Sequence, residues 1–282
     1  FHDHTVGCPT FDWGASLAAE RDGEIVAMAV VKRSPAILYR GPDRDTAHLA
    51  AFAFDDAAGA IDLLAEVKRI LRNRGVVCLL FGGDNGHFFP AVPVECPRLS
   101  DFLKVQGFET GADAIDLERD LADYEPPVPL PDGATFRNLR PGERGALDEF
   151  LEREFPGRWR YDVLRMVDRV AISRAVHGLF TEGELHGFAL LQDKSTPRPI
   201  GGAVWRMDLG DDWGSLGPIG ISRSVRGRGF GDGLLASSLL ELRRRGCRRT
   251  IIDWTTLADF YGKHGFVPTR TYRRTTLSLD GS

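Results

Sequence analysis

Residues 224–235, SVRGRGFGDGLL, place Gly227, Gly229, Gly231 and Gly233 at alternate positions behind two arginines. Glycine at this density costs chain entropy and helix propensity, so the bare backbone must serve a purpose. An apolar strand pattern (215–222, SLGPIGIS) comes before it, and an amphipathic helix pattern runs from it to about Arg245. A glycine-rich turn at a helix N-terminus leaves several backbone N–H groups unpaired and pointing one way, which with the helix dipole makes a phosphate site. The P-loop requires Gly-Lys-Ser/Thr, which is absent here. The dinucleotide pattern G-x-G-x-x-G fails on register, because Asp232 lies three residues beyond Gly229 and Leu234 three beyond Gly231. The register that fits is Arg226-x-x-Gly229-x-Gly231.

A second chemical feature lies downstream, in ADFYGKHGF (258–266), where Tyr261 precedes a Gly265-Phe266 pair. With R-x-x-G-x-G between strand and helix, and Y-x-x-x-G-F after the next strand, the chain resembles the GCN5-related N-acetyltransferase (GNAT) family over roughly residues 134–280. The resemblance implies acetyl-CoA as co-substrate, no metal, and a small-molecule primary amine as acceptor. It implies that backbone groups of Arg226, Gly227, Arg228, Gly229, Phe230, Gly231 and Asp232 hold the pyrophosphate. Main-chain groups of Ile219, Gly220 and Ile221 would receive the pantetheine arm as an added strand. Tyr261 would protonate the departing thiolate. Many family members carry a Glu or His base on the fourth strand, but 215–222 holds neither. Asp253, on the following strand, is the acidic candidate, and deprotonation through water stays open beside it. The acceptor wall would come from EFPGRWRYD (154–162), through Phe155, Arg158, Trp159 and Tyr161. Packing of those aromatics into the core after a helix break at Pro156-Gly157 is the competing reading.

The chain also repeats itself. DGEIVAMAVV (22–31) matches EGELHGFALL (182–191), residues 60–81 match 231–252, and LSDFLKVQGF (99–108) matches LADFYGKHGF (257–266). Three matched blocks in one order predict two tandem α/β GNAT domains, each a twisted mixed sheet flanked by helices. Residues 1–122 form the first, partial copy, the proline-rich 123–133 a semi-rigid linker, and residues 134–282 the complete, catalytic copy. The aligned first copy reads DDAAGA (55–60). Asp55 stands opposite Arg226, Asp56 opposite Gly227, Ala58 and Ala60 opposite Gly229 and Gly231, and Leu103 opposite Tyr261. It keeps fold residues and lacks chemical ones, so one coenzyme site per chain is expected.

Composition bounds the alternatives. Net charge is −4 with 27% charged residues, so no basic field advertises nucleic acid or an anionic membrane. The cluster RRRGCRR (243–249) sits at a helix end, where the dipole favours cations. Cys8, Cys78, Cys96 and Cys247 form no C-x-x-C pair, so a reducing cytoplasm is the expected compartment. No apolar run reaches spanning length. The expected assembly is a monomer or homodimer. His2-Asp3-His4 reads as a solvated terminus, His264 as exposed, and residues 207–215 as a hairpin loop carrying Asp211, Asp212 and Trp213. A non-catalytic acyl-CoA sensor or scaffold is the alternative function; the missing strand-four base favours it and Tyr261 opposes it.

Overall fold

The computed structural model describes residues 1–33 and 45–280. The chain divides into two compact units, residues 1–114 with 270–282, and residues 115–269.

In the first unit, β1 (Leu17–Arg21) and β2 (Glu24–Arg33) form a hairpin. β3 (Thr46–Phe54) pairs antiparallel with β2. α1 (Ala57–Asn73) then returns the chain to β4 (Cys78–Phe81), parallel to β3. Parallel neighbours need such a crossover. α1 turns Leu63, Leu64, Val67 and Leu71 into the core. β5 (Val92–Pro93), α2 (Pro97–Val105) and the first part of β6 (Glu109–Asp120) follow. The last strand of the chain, β12 (Val267–Ser278), lies antiparallel to β4, with residues 276–278 opposite 78–80.

The second unit opens with β7 (Thr135–Asn138), α3 (Arg144–Glu154), α4 (Arg158–Val167) and α5 (Ile172–Ala175). β8 (Val176–Thr181) and β9 (Glu184–Asp193) form a hairpin, and α6 (Arg206–Leu209) leads into β10 (Trp213–Ile221). α7 (Phe230–Arg244) crosses over to β11 (Arg249–Thr255), which is parallel to β10, and α8 (Ala258–Gly262) precedes β12. Residues 115–120 of β6 pair with β11 at the far edge. Strand alternation in β9 separates two cores. Ala189 and Leu191 pack with α7 residues such as Leu234 and Leu239, whereas Phe188 and Leu190 pack with Phe150 of α3 and Val163 of α4. This unit is a mixed sheet with helices on both faces.

The repeated sequence blocks adopt matching backbone. The hairpin turns Asp22-Gly23 and Glu182-Gly183 have φ of 53° and 85°, and of 53° and 86°, the paired left-handed values that two-residue hairpins need. Gly75 and Gly246 close α1 and α7 in the left-handed region at 72° and 86°.

Several expectations differ from the structure. Residues 115–122 fall in the second unit and 270–282 in the first. The reason is that β6 and β12 each run 12 residues, about twice the usual strand, and the division between the units falls within each of them. Residues 201–205 form a 3-10 turn followed by α6, and Trp213 is a buried first residue of β10, so 207–215 is not a hairpin loop. His4 is buried, with Nδ1 3.1 Å from the Gly86 carbonyl. His264 is buried as well. Residues 123–133 are packed in part: Tyr124 is fully buried, and a Cβ on Gly233 would lie 2.6 Å from Phe136 and 2.8 Å from Pro131.

That last contact gives a stability test. Glycine inside a helix forgoes up to about 1 kcal/mol of propensity, whereas overpacking a filled site costs about 1–3 kcal/mol. Gly233→Val is therefore expected to lower the thermal midpoint of the intact protein. A midpoint unchanged or raised in a thermal melt would show that residues near 131 are not docked on α7.

Candidate active site

β10 pairs with β11 only between residues 213–215 and 249–251. Beyond them the two parallel strands part, while β10 stays paired with β9 as far as Ile221 opposite Gly187. Ile219, Gly220 and Ile221 thus bring one backbone edge to the opening. A 3-10 turn (Arg223–Val225) follows, and then Gly227 and Gly229, each at φ 76°. These left-handed residues hold the chain out of the helix until Phe230. From Gly227 through Asp232 no backbone N–H has an acceptor among the described residues; the next, on Gly233, donates to the Gly229 carbonyl at 3.0 Å. A Cβ on Gly227 or Gly229 would meet nothing within 4 Å, so the loop is unobstructed at both glycines. Six donors beside the positive end of a 15-residue helix make an anion cradle.

The corresponding place in the first unit is built differently. Asp56 caps α1, its Oδ2 accepting from the Gly59 N–H at 2.7 Å and pairing with Arg21 at 2.9 Å. The hydrogen bond from Gly59 is the main cause holding the Asp56 carboxyl below its ordinary range. α1 has 17 residues against 15 in α7. In the sequence register its extra two residues lie at the start, where Ala57 and Ala58 stand in place of Arg228 and Gly229.

α8 presents Tyr261. Its ring packs against Phe260 at 5.0 Å and Phe266 at 6.1 Å within the core, yet its hydroxyl makes no hydrogen bond among the described residues. Burial, and then the negative charge of Asp253, push the phenol up to about 12. Asp253 lies on β11, two residues past the last pair with β10. Its Oδ1 would be 3.0 Å from a Cβ on Gly201 and 3.5 Å from one on Gly217, so the carboxylate faces the point where the strands part. The next residue, Trp254, has φ 49° at a register shift against β6. A left-handed tryptophan costs about 1–3 kcal/mol. The buried Asp116 holds it, accepting the Trp254 N–H at 3.0 Å. Bulges of this kind re-aim side chains beside active sites.

Pro156-Gly157 does break the helix, between α3 and α4. The predicted acceptor residues separate there. Phe155 and Trp159 lie tilted at 33° with ring centroids 5.2 Å apart and pack on the α3–α4 core, with Phe155 seated on Gly220, where a Cβ would come within 2.5 Å of its ring. Tyr161 is buried. Arg158 lies 4.3 Å above the ring of Trp254, the residue after Asp253, and 3.3 Å from Asp162, so it already has an anionic neighbour. Arg226 lies 3.5 Å from the Ile221 carbonyl and Arg228 over the Phe230 ring at 4.7 Å. Asp232 takes part in a buried contact: His264 Nε2 is 3.4 Å from its Oδ1, and His264 Nδ1 is 2.8 Å from the Tyr124 hydroxyl. Burial lowers the His264 pKa, with Asp232 opposing.

Sequence reasoning missed Gly201, Gly202, Asp116 and Glu154. The GGAVW run (201–205) was the visible signal for the first two, since adjacent glycines often mark close backbone approach. Nothing in the sequence marks Asp116, whose role depends on a neighbouring strand. Among the described residues there is no group of three or more His, Cys, Asp or Glu that could hold a metal ion, and no helix long and apolar enough to cross a membrane.

Residues 146–266 match the model of the acetyltransferase (GNAT) family. No curated protein matches the sequence. Among solved structures, a GCN5-related glucosamine N-acetyltransferase region of a fungal multi-domain GH3 β-N-acetylglucosaminidase superposes with a TM-score of 0.79 at 22% identity, over 92% of this chain. The present chain spans about a third (32%) of that protein's length. A GCN5-related N-acetyltransferase from Sphaerobacter thermophilus gives 0.66 at 17% identity, covering 93% of this chain and 79% of that one. A tandem GNAT protein from the clavulanic acid biosynthesis pathway gives 0.60 at 15% identity, covering 96% and 86%. The fold is therefore α/β and GNAT-like, and the likeness to the acetyltransferase (GNAT) family model lies in residues 146–266.

The tyrosine offers a direct titration. With a pKa raised to about 12, Tyr261 keeps its proton through the range in which an ordinary phenol, near 10, ionises. The tyrosinate absorbance difference between the native protein and Tyr261→Phe is expected to emerge only above about pH 11. A difference with a midpoint near 10 would mean that the hydroxyl is neither buried nor close to the Asp253 charge.

Proposed function

We propose that the protein is an acetyl-CoA-dependent N-acyltransferase acting on a primary amine of a small molecule. The observation that carries this reading is the run of N–H groups without acceptors from Gly227 through Asp232, at the end of a strand that has parted from its parallel neighbour. Acetyl-CoA fits these residues: its pyrophosphate matches the donors, and its pantetheine amides match the open edge at Ile219–Ile221. When bound it supplies an activated acyl thioester. Arg226 and Arg228 add positive charge beside the cradle, with backbone groups making most of the contacts.

The chain's own residues then divide the work. Tyr261, kept protonated by burial, holds the proton that the departing sulfur requires. Asp253 takes a proton from the acceptor's ammonium, directly or through water, and the neutral amine then attacks the thioester. The Trp254 bulge, held by Asp116, fixes the direction in which Asp253 points. The α3–α4 corner, with Phe155, Trp159 and Arg158 over Trp254, forms one wall for the acceptor. Tyr161 is too deeply placed to line it and supports it from the core.

The first unit is, in this reading, a degenerate copy of the same domain. Matching turns and helix ends support common descent of the two units. At the start of α1, Asp56 already occupies N–H groups that a pyrophosphate would use, and Leu103, fully buried, replaces the tyrosine.

A panel of amino sugars, amino acids, polyamines and arylamines, incubated with acetyl-CoA and read by release of free thiol, tests the activity. On a productive acceptor, Tyr261→Phe is expected to lower kcat by about 10²–10³ while leaving acetyl-CoA affinity unchanged. Turnover within twofold of the native enzyme would remove Tyr261 from the mechanism. Tight acetyl-CoA binding without turnover on any amine would instead support a non-catalytic acyl-CoA sensor, the reading favoured by the absence of a Glu or His on β10.

A further inference from the structure

Glu154 ends α3, where the helix dipole disfavours a carboxylate. It is nevertheless largely covered, with its side chain 12% exposed. Its Oε1 accepts the Ser222 hydroxyl at 2.8 Å, and its Oε2 accepts the Arg223 N–H at 3.2 Å. Ser222 is itself buried and lies 2.9 Å from the Ser224 hydroxyl. Burial raises the Glu154 pKa, but the bonds from Ser222 and Arg223, with Arg153 beside it, outweigh this and hold the group ionised. A cavity of about 650 Å³ opens beside the contact, lined in part by Pro156, His186 and Ser224. Dense packing therefore does not hold the two segments together on that side, and the carboxylate does.

The segment that Glu154 grips, residues 222–224, is the turn connecting β10 to the glycine cradle. The residue after Glu154 is Phe155, whose ring rests on Gly220 of β10 and on Trp159 of α4. Two adjacent residues thus attach the α3–α4 corner to the strand and the turn on either side of Ile221.

We propose that Glu154 is a positioning residue that couples occupancy of the coenzyme loop to the geometry of the α3–α4 corner. Ordering of residues 222–232 around a pyrophosphate fixes the Ser222 hydroxyl and the Arg223 N–H, and through them the carboxylate. Phe155 and Trp159 are then held against Gly220, and the acceptor wall takes its working shape after the coenzyme is in place. The inference rests on the assignment of 227–232 as the coenzyme cradle, and the experiment separates the two.

Hydrogen-exchange mass spectrometry on the full chain, with and without acetyl-CoA, reads both segments at once. In the native protein acetyl-CoA is expected to slow exchange across 222–232 and, by about fivefold or more, across 154–160. Glu154→Ala should keep the first effect and lose the second. Glu154→Gln, whose amide oxygen still accepts a hydrogen bond, should keep part of the second. If Glu154→Ala does not fold, Ser222→Ala removes one of the two bonds, leaving that from the Arg223 N–H, and should weaken the second effect while keeping the first. Slowing confined to 222–232 in the native protein, or equal slowing at 154–160 in the native and uncoupled variants, overturns the inference alone. No slowing at 222–232 in the native protein overturns the cradle assignment and this inference with it.

Discussion

Two parallel strands that pair for three residues and then part set the terms for the second unit. While β10 and β11 are paired, up to Ser215 and Ile251, their polar groups are committed to the sheet. Beyond that point β10 keeps one partner, β9, and its other edge must find hydrogen bonds elsewhere. The residues along the parted edges show how the gap is kept from closing. Phe155 sits on Gly220, the Gly201-Gly202 backbone lies against Asp253, and the left-handed Trp254 interrupts the regular run of β11 with its N–H given to Asp116. Each of these contacts lies where the two strands are no longer paired with one another. Asp253 follows the last paired residue of β11, close enough to Tyr261 for its charge to act on the phenol, and the glycine turn follows the end of β10.

The two helix starts, α1 and α7, use their first N–H groups differently. In α7, left-handed Gly227 and Gly229 delay the helix and leave six N–H groups without an acceptor among the described residues. In α1, an aspartate in the first of those two aligned positions caps the helix, and alanines, the best helix formers, extend it by half a turn toward the strand. The cap makes α1 self-sufficient. In water-like screening two like charges about 4 Å apart repel by about 1 kcal/mol, so the same carboxylate also disfavours a phosphate. Stabilising that helix and binding an anion at its start are competing uses of the same donors.

Much of this was legible in the sequence because it depends on local chemistry. The left-handed pairs at Asp22-Gly23 and Glu182-Gly183, the closing glycines Gly75 and Gly246, and the strand–glycine–helix order around Gly229 are all fixed by residues within a few positions. The helix break at Pro156-Gly157 is of the same kind. What escaped depends on partners distant in the chain. His264 looked exposed because a polar residue in a tight turn usually is, and it is buried by Tyr124, 140 residues away. The domain boundary shifted because β6 and β12 continue as strands past the points where the repeat pattern ends, and periodicity does not tell which neighbour a strand will pair with. Asp116 and Glu154 carry no local signature, since an isolated carboxylate acquires its role from the donors that the fold brings to it.

Calorimetric titration of acetyl-CoA into the intact chain, and into Gly229→Asp, tests the cradle most directly. The substitution puts a carboxylate beside N–H groups that have no acceptor among the described residues, at a position whose φ of 76° suits glycine and is tolerated by aspartate better than by most side chains. One site per chain, abolished in Gly229→Asp while the thermal midpoint shows the variant folded, is the predicted result. Two equivalent sites, or unchanged affinity in the folded variant, would contradict it.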